Sequence, residues 1–539
     1  MTAQPEFRRY LVNVDSISTQ QSFADCVIVG AGIAGLRAAI EAAKARHVLV
    51  VCKGSLEDSN TWQAQGGIAS VLNRDDSFEA HIADTLKAGS GICDKKVVEL
   101  VVKQGPALVE QLLRWGTDFD LINGHIATTL EGGHSHARIA HAHGDETGRV
   151  IAETLIKTAR QEQNVRVVEN FHTIDLLTND DNECVGIIGR DKLKGVQIIW
   201  AAKTILASGG AGQLYRETTN PAVATADGIA MAYRAGAALR GLEFMQFHPT
   251  TLYVAGASRA LITETVRGEG AVLLDSRGNR FMTEYHEAAE LAPRDIVSRA
   301  ILEQMLKTNS THVYLDLRHF DKVYFAKRFP LINELCESFG IDVGRDLVPV
   351  RPSAHYMIGG IKTDTSARTS INNLYACGEV ASTGLHGANR LGSNSLLEGL
   401  VFGKIAGQRI CEQKRPGDTV RPKHPLISYQ IPHSDRSRLD TADVRNSLRA
   451  LMWRNVGITR RAQPLIEAQE IIRFWQRYVM DKVFDSPEGW ECQNMLTVCL
   501  LMARSAEMRR ESRGVHFRRD FPNTDDENFK KHIEIQREK

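Results

Sequence analysis

Asp25–Cys26–Val27–Ile28–Val29–Gly30–Ala31–Gly32–Ile33–Ala34–Gly35–Leu36 is the stretch whose reading decides the fold class. The apolar run Cys26–Val29 reads as a fully buried strand. It leads straight into Gly30-x-Gly32-x-x-Gly35, and Ala-rich helical sequence follows from Ile33 to about Ala45. Strand, glycine turn and helix in that order form the context that a dinucleotide fingerprint requires. Gly30 permits the tight turn, Gly32 lets the backbone approach a pyrophosphate, and Gly35 lets helix and strand pack closely. The helix N-terminus offers N–H groups and a positive dipole end to the phosphates. The fingerprint by itself names neither the dinucleotide nor the reaction.

The 539 residues carry a formal charge of +1, with 43% apolar and 24% charged residues. This is the balance of an ordinary globular protein of about two to four domains. It gives no bulk electrostatic case for nucleic acid or an anionic membrane as partner. Nine cysteines are scattered without a CxxC pair, against an iron–sulfur cluster, structural zinc or a dithiol pair. Their odd number, and the lack of an apolar h-region in Met1–Tyr10, predict a reducing, cytoplasmic setting. No apolar run is long enough to span a bilayer.

Outward from the fingerprint, residues 1–23 read as a loosely attached polar arm. A second strand, His47–Cys52, ends Val51–Cys52–Lys53–Gly54 without the acid that usually holds a ribose hydroxyl, which weakens an NAD reading. Helices are expected over Phe78–Lys87 and Asp94–Trp115, the second kinked or broken at Pro106. His134, His136, His141 and His143 match no common zinc spacing and read as hydrogen-bonded neighbours, so no metal is expected. Thr147 is expected to cap a helix over Val150–Gln161. Strand-like runs follow at Val165–Val168, Cys184–Ile188 and Val196–Trp200, the last two forming a hairpin across Asp191–Gly195. Thr204–Leu206 then enters the glycines at 209–212, and a helix follows at Ile229–Gly236. Residues 245–350 are mixed α+β and read as an insertion. The strand-into-glycine pattern returns at Asn373–Glu379, followed by a helix at Asn394–Cys411. The dinucleotide domain is therefore expected to be discontinuous, over 24–244 and 351–431, with a polar linker at 412–432. A helical domain is expected over 432–539, whose charged end from about Arg509 lies on the surface.

Glycine elements at 30–35, 209–212 and 378–379 around one domain suit FAD better than NAD. A pyridine-nucleotide disulfide reductase needs a second GxGxxG and a CxxC, and both are missing. Longer motifs are also present: Ala64–Gln65–Gly66–Gly67, Gln246–Phe247–His248–Pro249–Thr250, and Thr263–Glu264–x–x–Arg267–Gly268–Glu269–Gly270. To these add Leu291–Ala292–Pro293–Arg294–Asp295, His355–Tyr356 with Gly359–Gly360, Gly384–Leu385–His386–Gly387–Ala388–Asn389–Arg390, and Glu511–Ser512–Arg513–Gly514. On these the chain resembles the flavoprotein family of succinate dehydrogenase and fumarate reductase, and within it the L-aspartate-oxidising branch.

The resemblance implies an α/β fold: a discontinuous Rossmann-like FAD-binding domain, an inserted α+β capping domain and a C-terminal helical domain. It implies substrate between the first two. His248, Thr263, His355 and Arg390 then match positions that hold the substrate carboxylates, with Gln246, Glu264 and Ser393 beside them. Arg390 can fork onto a carboxylate where a lysine cannot. Arg294 matches the proton donor and acceptor, and Glu131 the position facing a substrate amino group. On charge alone, a carboxylate about 4 Å from an ammonium is worth up to about 4 kcal/mol before desolvation, enough to select aspartate over succinate. Leu130 stands where the family often has a basic residue. The implied FAD contacts are Gly30, Ala31, Gly32, Ile33, Ala34, Gly35, Cys52, Lys53, Ser59, Asn60, Thr61, Trp62, Gln63, Ala64, Gln65, Gly66, Gly67, Asp227, Glu379, Ser395 and Leu396. Asn60 replaces the histidine that carries covalent flavin in respiratory members, so the FAD is expected to be noncovalent. The implied reaction is oxidation of L-aspartate to iminoaspartate, with oxygen or fumarate as acceptor, opening NAD biosynthesis. Quinolinate synthase would consume the imine. A soluble fumarate reductase and a respiratory-complex flavoprotein subunit are the competing readings.

Overall fold

The computed structural model describes residues 7–254, 260–412, 424–437 and 439–537. The fold is α/β, with mixed sheets and C-terminal helices. The central sheet orders its strands Phe171–Thr178, Cys184–Asp191, Gly195–Leu206, Gln20–Val29, Val48–Val51 and Val165–Val168. The first three are antiparallel to one another, and the last four run parallel. Leu374–Ala376 joins in parallel beside Thr204–Leu206. Alternate residues of Gln20–Val29 enter different cores. Cys26 and Ile28 join one apolar cluster, Val27 and Val29 the other. A strand buried on both faces reads as an unbroken apolar run, which is why Cys26–Val29 is legible.

Helix Ile33–Ala42 crosses helix Asn394–Glu412 with almost no side chain between them. A Cβ on Gly403 would stand 2.5 Å from the Ala34 carbonyl oxygen, and one on Gly407 2.6 Å from that of Ala38. A second sheet, ordered Met245–Leu252, Val348–Met357, Val313–Asp316 and Val272–Leu274, is antiparallel throughout. With helix Arg294–Lys307 it encloses a separate apolar cluster that includes Leu273, Val297, Ile301 and Val313. Helices Thr441–Asn455, Ala462–Val479 and Pro487–Met508 follow, the last buried along most of its length. No helix among the described residues is long and apolar enough to cross a membrane.

Several sequence expectations are corrected. The runs at Val196–Trp200 and Thr204–Leu206 are one strand, Gly195–Leu206. Lys203 interrupts its apolar pattern, with Nζ bonded to Asn373 Oδ1 at 2.5 Å. Phe171–Thr178 is a strand that periodicity hides, because buried Asp175 breaks the run to pair with Arg234 at 2.7 Å. Helix Lys95–Trp115 continues through Pro106. Its apolar stripe, Val97 to Leu112, outweighs the one backbone bond that proline removes. Thr147 begins its helix instead of capping it, and its hydroxyl accepts from Ala142 N. The arm is not loose over residues 7–14: Phe7, Tyr10, Leu11 and Val14 are buried in the main core. Residues 1–6, and 413–423 of the expected linker, lie outside the described residues.

The charged end is corrected over residues 509–518 alone, since residues 519–537 are exposed or half-buried as expected. Arg509, Glu511, Arg513, His516 and Arg518 are buried. Arg509 Nε donates to Glu243 at 2.7 Å and Nη1 to Glu511 at 2.7 Å, while Arg513 Nε reaches Glu511 at 2.8 Å. Hydropathy cannot register pairing between such charges, which is what allows their burial. Glu243→Gln is expected to cost about 2–3 kcal/mol, since Glu511 still partners Arg509. A fall in the thermal midpoint with an unchanged circular dichroism spectrum checks it.

Candidate functional site

One cleft runs from the fingerprint turn to the antiparallel sheet and encloses about 1780 Å³ of non-atom space, including its open mouth. Its floor begins where Gly30, at φ +110°, meets strand Gly195–Leu206 and the turn after it. A Cβ on Gly30 would stand 2.2 Å from Ala207 O, and one on Gly35 2.0 Å from Gly30 O. Of the residues expected at the cofactor, all but Gly35 and Trp62 line this cleft. Gly35 serves packing, as its contact shows. Trp62 turns to a shallow depression beside Leu56 and Ile156.

Lys53, just after the second strand, finds its acidic partners far along the chain. Lys53 Nζ lies 2.6 Å from Asp227 and 2.8 Å from Glu491, and Asn494 donates to Asp227 Oδ1 at 2.7 Å. Burial alone would raise the Asp227 pKa, but the Lys53 ammonium beside it holds it below the usual carboxylate range. Further along, Asn60 Nδ2 donates to Glu379 Oε2 at 2.8 Å, and burial pushes the Glu379 carboxyl up to about 7. Buried cleft atoms without a partner include Asn60 Oδ1, Gln65 Oε1 and Ser208 Oγ. A long cleft with a glycine turn at a helix N-terminus and unpaired polar atoms along its walls fits an extended dinucleotide.

At the other end the cleft is lined by His248, Thr263, Glu264, Arg294, His355, Arg390 and Ser393. They come from both sheets' neighbourhoods. Glu264 Oε2 pairs with Arg294 Nε at 2.5 Å, and Oε1 lies 3.5 Å from Arg267. Burial works against the Glu264 anion, but Arg294 and Arg267 hold its pKa down. Arg390 is oriented by Gln246 Oε1 at 3.0 Å and Ser395 Oγ at 2.5 Å, and lies 4.5 Å over the Tyr356 ring. Gln246 thus stands behind Arg390 instead of lining the cleft. Burial, then Arg294, lowers the Arg390 pKa to about 10. Arg294 Nη1 and Arg390 Nη2 are buried without a partner in this structure. His248 and His355 lie edge to face with centroids 5.2 Å apart. Burial first, then neighbouring arginines, holds both well below the usual histidine pKa, so both are neutral. Free guanidinium nitrogens and neutral imidazoles in one buried pocket are a donor set that suits an anion.

Glu131 also stands one layer behind the wall. Ser393 Oγ donates to its Oε2 at 2.7 Å and Thr265 Oγ1 to its Oε1 at 3.1 Å. Ser393 holds φ +60°, a left-handed conformation uncommon outside glycine. A Cβ on neighbouring Gly392 would lie 3.1 Å from Glu131 Oε2 and 3.2 Å from Arg294 Nη2, so that carboxylate sits beside the cationic anchors. Burial, then Glu264, raises its pKa. The nearby histidines are absorbed structurally. His134 Nε2 meets Gly392 O at 3.1 Å and His141 Nε2 meets Thr129 Oγ1 at 2.6 Å, and burial drops both to about 3. The described residues hold no cluster of three or more His, Cys, Asp or Glu placed for a metal.

Residues without a motif of their own also reach the site, among them Thr219, Asn220, Glu491 and Asn494. Thr219 Oγ1 meets His355 Nδ1 at 2.9 Å, and Asn220 Nδ2 donates to the His355 carbonyl at 2.8 Å. Glu491 and Asn494 arrive on the C-terminal helix. No local pattern announces them, since each matters only through a partner about 135 to over 400 positions away.

A family model described as an FAD binding domain matches residues 25–396, and one described as the fumarate reductase flavoprotein C-terminal region matches 445–539. The chain is 41% identical to L-aspartate oxidase of Streptomyces coelicolor over 95% of this chain and 91% of that one. It is 39% identical to L-aspartate oxidase of Yersinia pestis, over 94% and 97%. Among solved structures, it matches an E. coli quinol fumarate reductase with TM-score 0.88 and 33% identity, covering 96% of each chain. Gly30→Ala is expected to abolish flavin retention through the clash with Ala207 O. The flavin-to-protein absorbance ratio after purification reads this directly.

Proposed function

The chain belongs to the L-aspartate oxidase family of FAD-binding flavoproteins, and from that premise we propose how its residues divide the work. The protein is an FAD-dependent oxidoreductase acting on L-aspartate, in the route to NAD. We read its architecture as a discontinuous Rossmann-like FAD-binding domain over 24–244 and 351–431, with a capping domain at 245–350. The pairing of Met245–Leu252 with Val348–Met357 supports that reading, because it closes the insertion at its two ends.

FAD supplies the two-electron acceptor when bound. The FAD-lining residues of the cleft hold it, with Lys53 and Asp227 at one end and Glu379, Ser395 and Leu396 toward the other. With Asn60 where respiratory members carry a histidine, and its amide committed to Glu379, the FAD is noncovalent. Acid precipitation should therefore leave a colourless pellet and a yellow supernatant.

Arg390, His248, His355 and Thr263 bind the two substrate carboxylates. Neutral histidines donate hydrogen bonds there without adding charge, and the two unpaired guanidinium nitrogens provide it. Burial of the walls excludes water and strengthens each contact. As the Cα–H bond gives up its hydride, the ammonium loses a proton and iminoaspartate forms. Arg294 Nη1 is the atom we assign to proton exchange with substrate: the guanidinium, which has no free lone pair, takes up a proton there as it passes one from Nε to the Glu264 carboxylate it contacts. Oxygen or fumarate is the final acceptor, and quinolinate synthase consumes the imine. Nine unpaired thiols agree with a reducing, cytoplasmic setting.

The observation that carries the choice of substrate is Glu131. Glu264 has its charge met by Arg294 and Arg267, whereas Glu131 is buried with only hydroxyl partners, and the ammonium of aspartate supplies the cation it lacks. Fumarate satisfies the carboxylate anchors equally well, so the same site accommodates it. L-aspartate should bleach the bound flavin under anaerobic conditions. Failure to do so, with reduced enzyme still turning over fumarate, favours a fumarate reductase. Glu131→Gln should lower aspartate kcat/KM by about 100-fold, in line with the loss of a buried charge pair, and leave fumarate reduction within about fivefold.

A further inference from the structure

Resting on the reading of Glu131 as the ammonium partner, we propose that Thr265 is a specificity-determining positioning residue. Its hydroxyl holds the Glu131 carboxylate in place as an anion, and so sets the preference for an amino dicarboxylate over a plain one. Thr265 lies in the short helix Glu264–Gly268, is 1% exposed, and does not line the cleft. It acts on substrate only through Glu131.

The electrostatics around Glu131 make that hydroxyl consequential. Burial disfavours the anion, and Glu264, next to Thr265 on the same helix, repels it. Arg294, from helix Arg294–Lys307, attracts it, but its Nε is committed to Glu264 at 2.5 Å. Arg267 is the remaining charge that senses Glu131, and it too faces Glu264, at 3.5 Å. Arg294 is the largest favourable influence on the anion, and two hydroxyls are its direct hydrogen-bond donors, one on each oxygen: Ser393 at 2.7 Å and Thr265 at 3.1 Å. An ionised carboxylate only accepts hydrogen bonds, so the Thr265 proton points at Oε1. Hydrogen bonds to a charged group are worth more than neutral ones, and an unmet one in a buried site is costly.

The two donors are not equivalent as probes. Ser393 lines the cleft beside the carboxylate anchors, so its removal disturbs every ligand. Removal of the Thr265 hydroxyl disturbs Glu131 and one other atom, Thr263 Oγ1 at 3.3 Å. These two routes have opposite signatures. A loss through Thr263 weakens all dicarboxylates alike, whereas a loss through Glu131 weakens only those that carry an ammonium.

The sign with pH follows. The anion is lost as pH falls through the Glu131 pKa, and with it goes aspartate recognition. Without the Thr265 donor the anion is less favoured, so that loss begins at higher pH. Succinate has no ammonium and lacks this limb.

The test uses FAD-loaded protein in four forms: wild type, Thr265→Val, Thr265→Ser and Glu131→Gln. Steady-state kcat/KM for L-aspartate is measured against pH, and succinate affinity by titrating the flavin absorbance. In Thr265→Val, kcat/KM for aspartate should fall about tenfold and its acid limb move up by about one pH unit. Succinate Kd should stay within about twofold, and Thr265→Ser should restore both aspartate readouts, because a hydroxyl donor returns. Thr265→Ala carries the same expectation if the valine variant does not fold. Equal losses for aspartate and succinate in Thr265→Val, no loss for either, or failure of the serine to restore aspartate overturns the assignment. If Glu131→Gln is selective while Thr265→Val is not, only the Thr265 assignment falls. If Glu131→Gln also loses both ligands equally, the ammonium reading falls with it.

Discussion

The crossing of helices Ile33–Ala42 and Asn394–Glu412 is the contact on which the cleft depends. Gly399, Gly403 and Gly407 recur at the spacing of one helix face and leave no side chain there. The two backbones meet as closely as sterics allow, so the N-terminus of the second helix lies beside the fingerprint of the first. That places Ser393, Ser395 and Arg390 against the dinucleotide cleft although more than 350 residues separate them from Gly30. A methyl group at any of these glycines pushes the helices apart and opens the site along its length.

The substrate end is organised by charge rather than shape. Three arginines converge on a small buried volume, and repulsion among them is eased by Glu264, which bridges Arg294 and Arg267. The pocket keeps a cationic character because Arg390 has only neutral partners: Gln246, Ser395 and the Tyr356 ring. His248 and His355 stay neutral through burial and the same arginines, so they do not add to the repulsion. Glu131 stands on the side where Gly392 carries no side chain, with Oε2 3.1 Å from where a Cβ there would lie.

The sequence reading fails where burial is secured by partners rather than by apolar character. Asp175, Arg234, Glu243, Arg509 and Glu511 look like surface residues in a hydropathy profile, yet each is buried in an ion pair. Such pairing hides strand Phe171–Thr178 from periodicity and makes residues 509–518 read as surface. The N-terminal arm misled for a related reason: its few apolar residues, Phe7, Tyr10, Leu11 and Val14, are spaced too irregularly to signal burial. Pro106 misled in the opposite direction, since a long apolar stripe overrides one missing hydrogen bond.

By itself, the sequence determined the local chemistry. The strand–glycine–helix order marks a dinucleotide turn, and at Gly30 any Cβ would stand 2.2 Å from Ala207 O. The long motifs carry the family resemblance, and Asn60 and Glu131 are residue identities that no fold can alter. Only the tertiary structure decided who supports whom. It brought Asp227 to Lys53, Thr219 to His355, Thr265 to Glu131 and the C-terminal helix to the cofactor cleft. The physical reason is range. Backbone sterics and residue chemistry act within a few positions, whereas hydrogen bonds and ion pairs in the site join partners that the chain keeps tens to hundreds of residues apart.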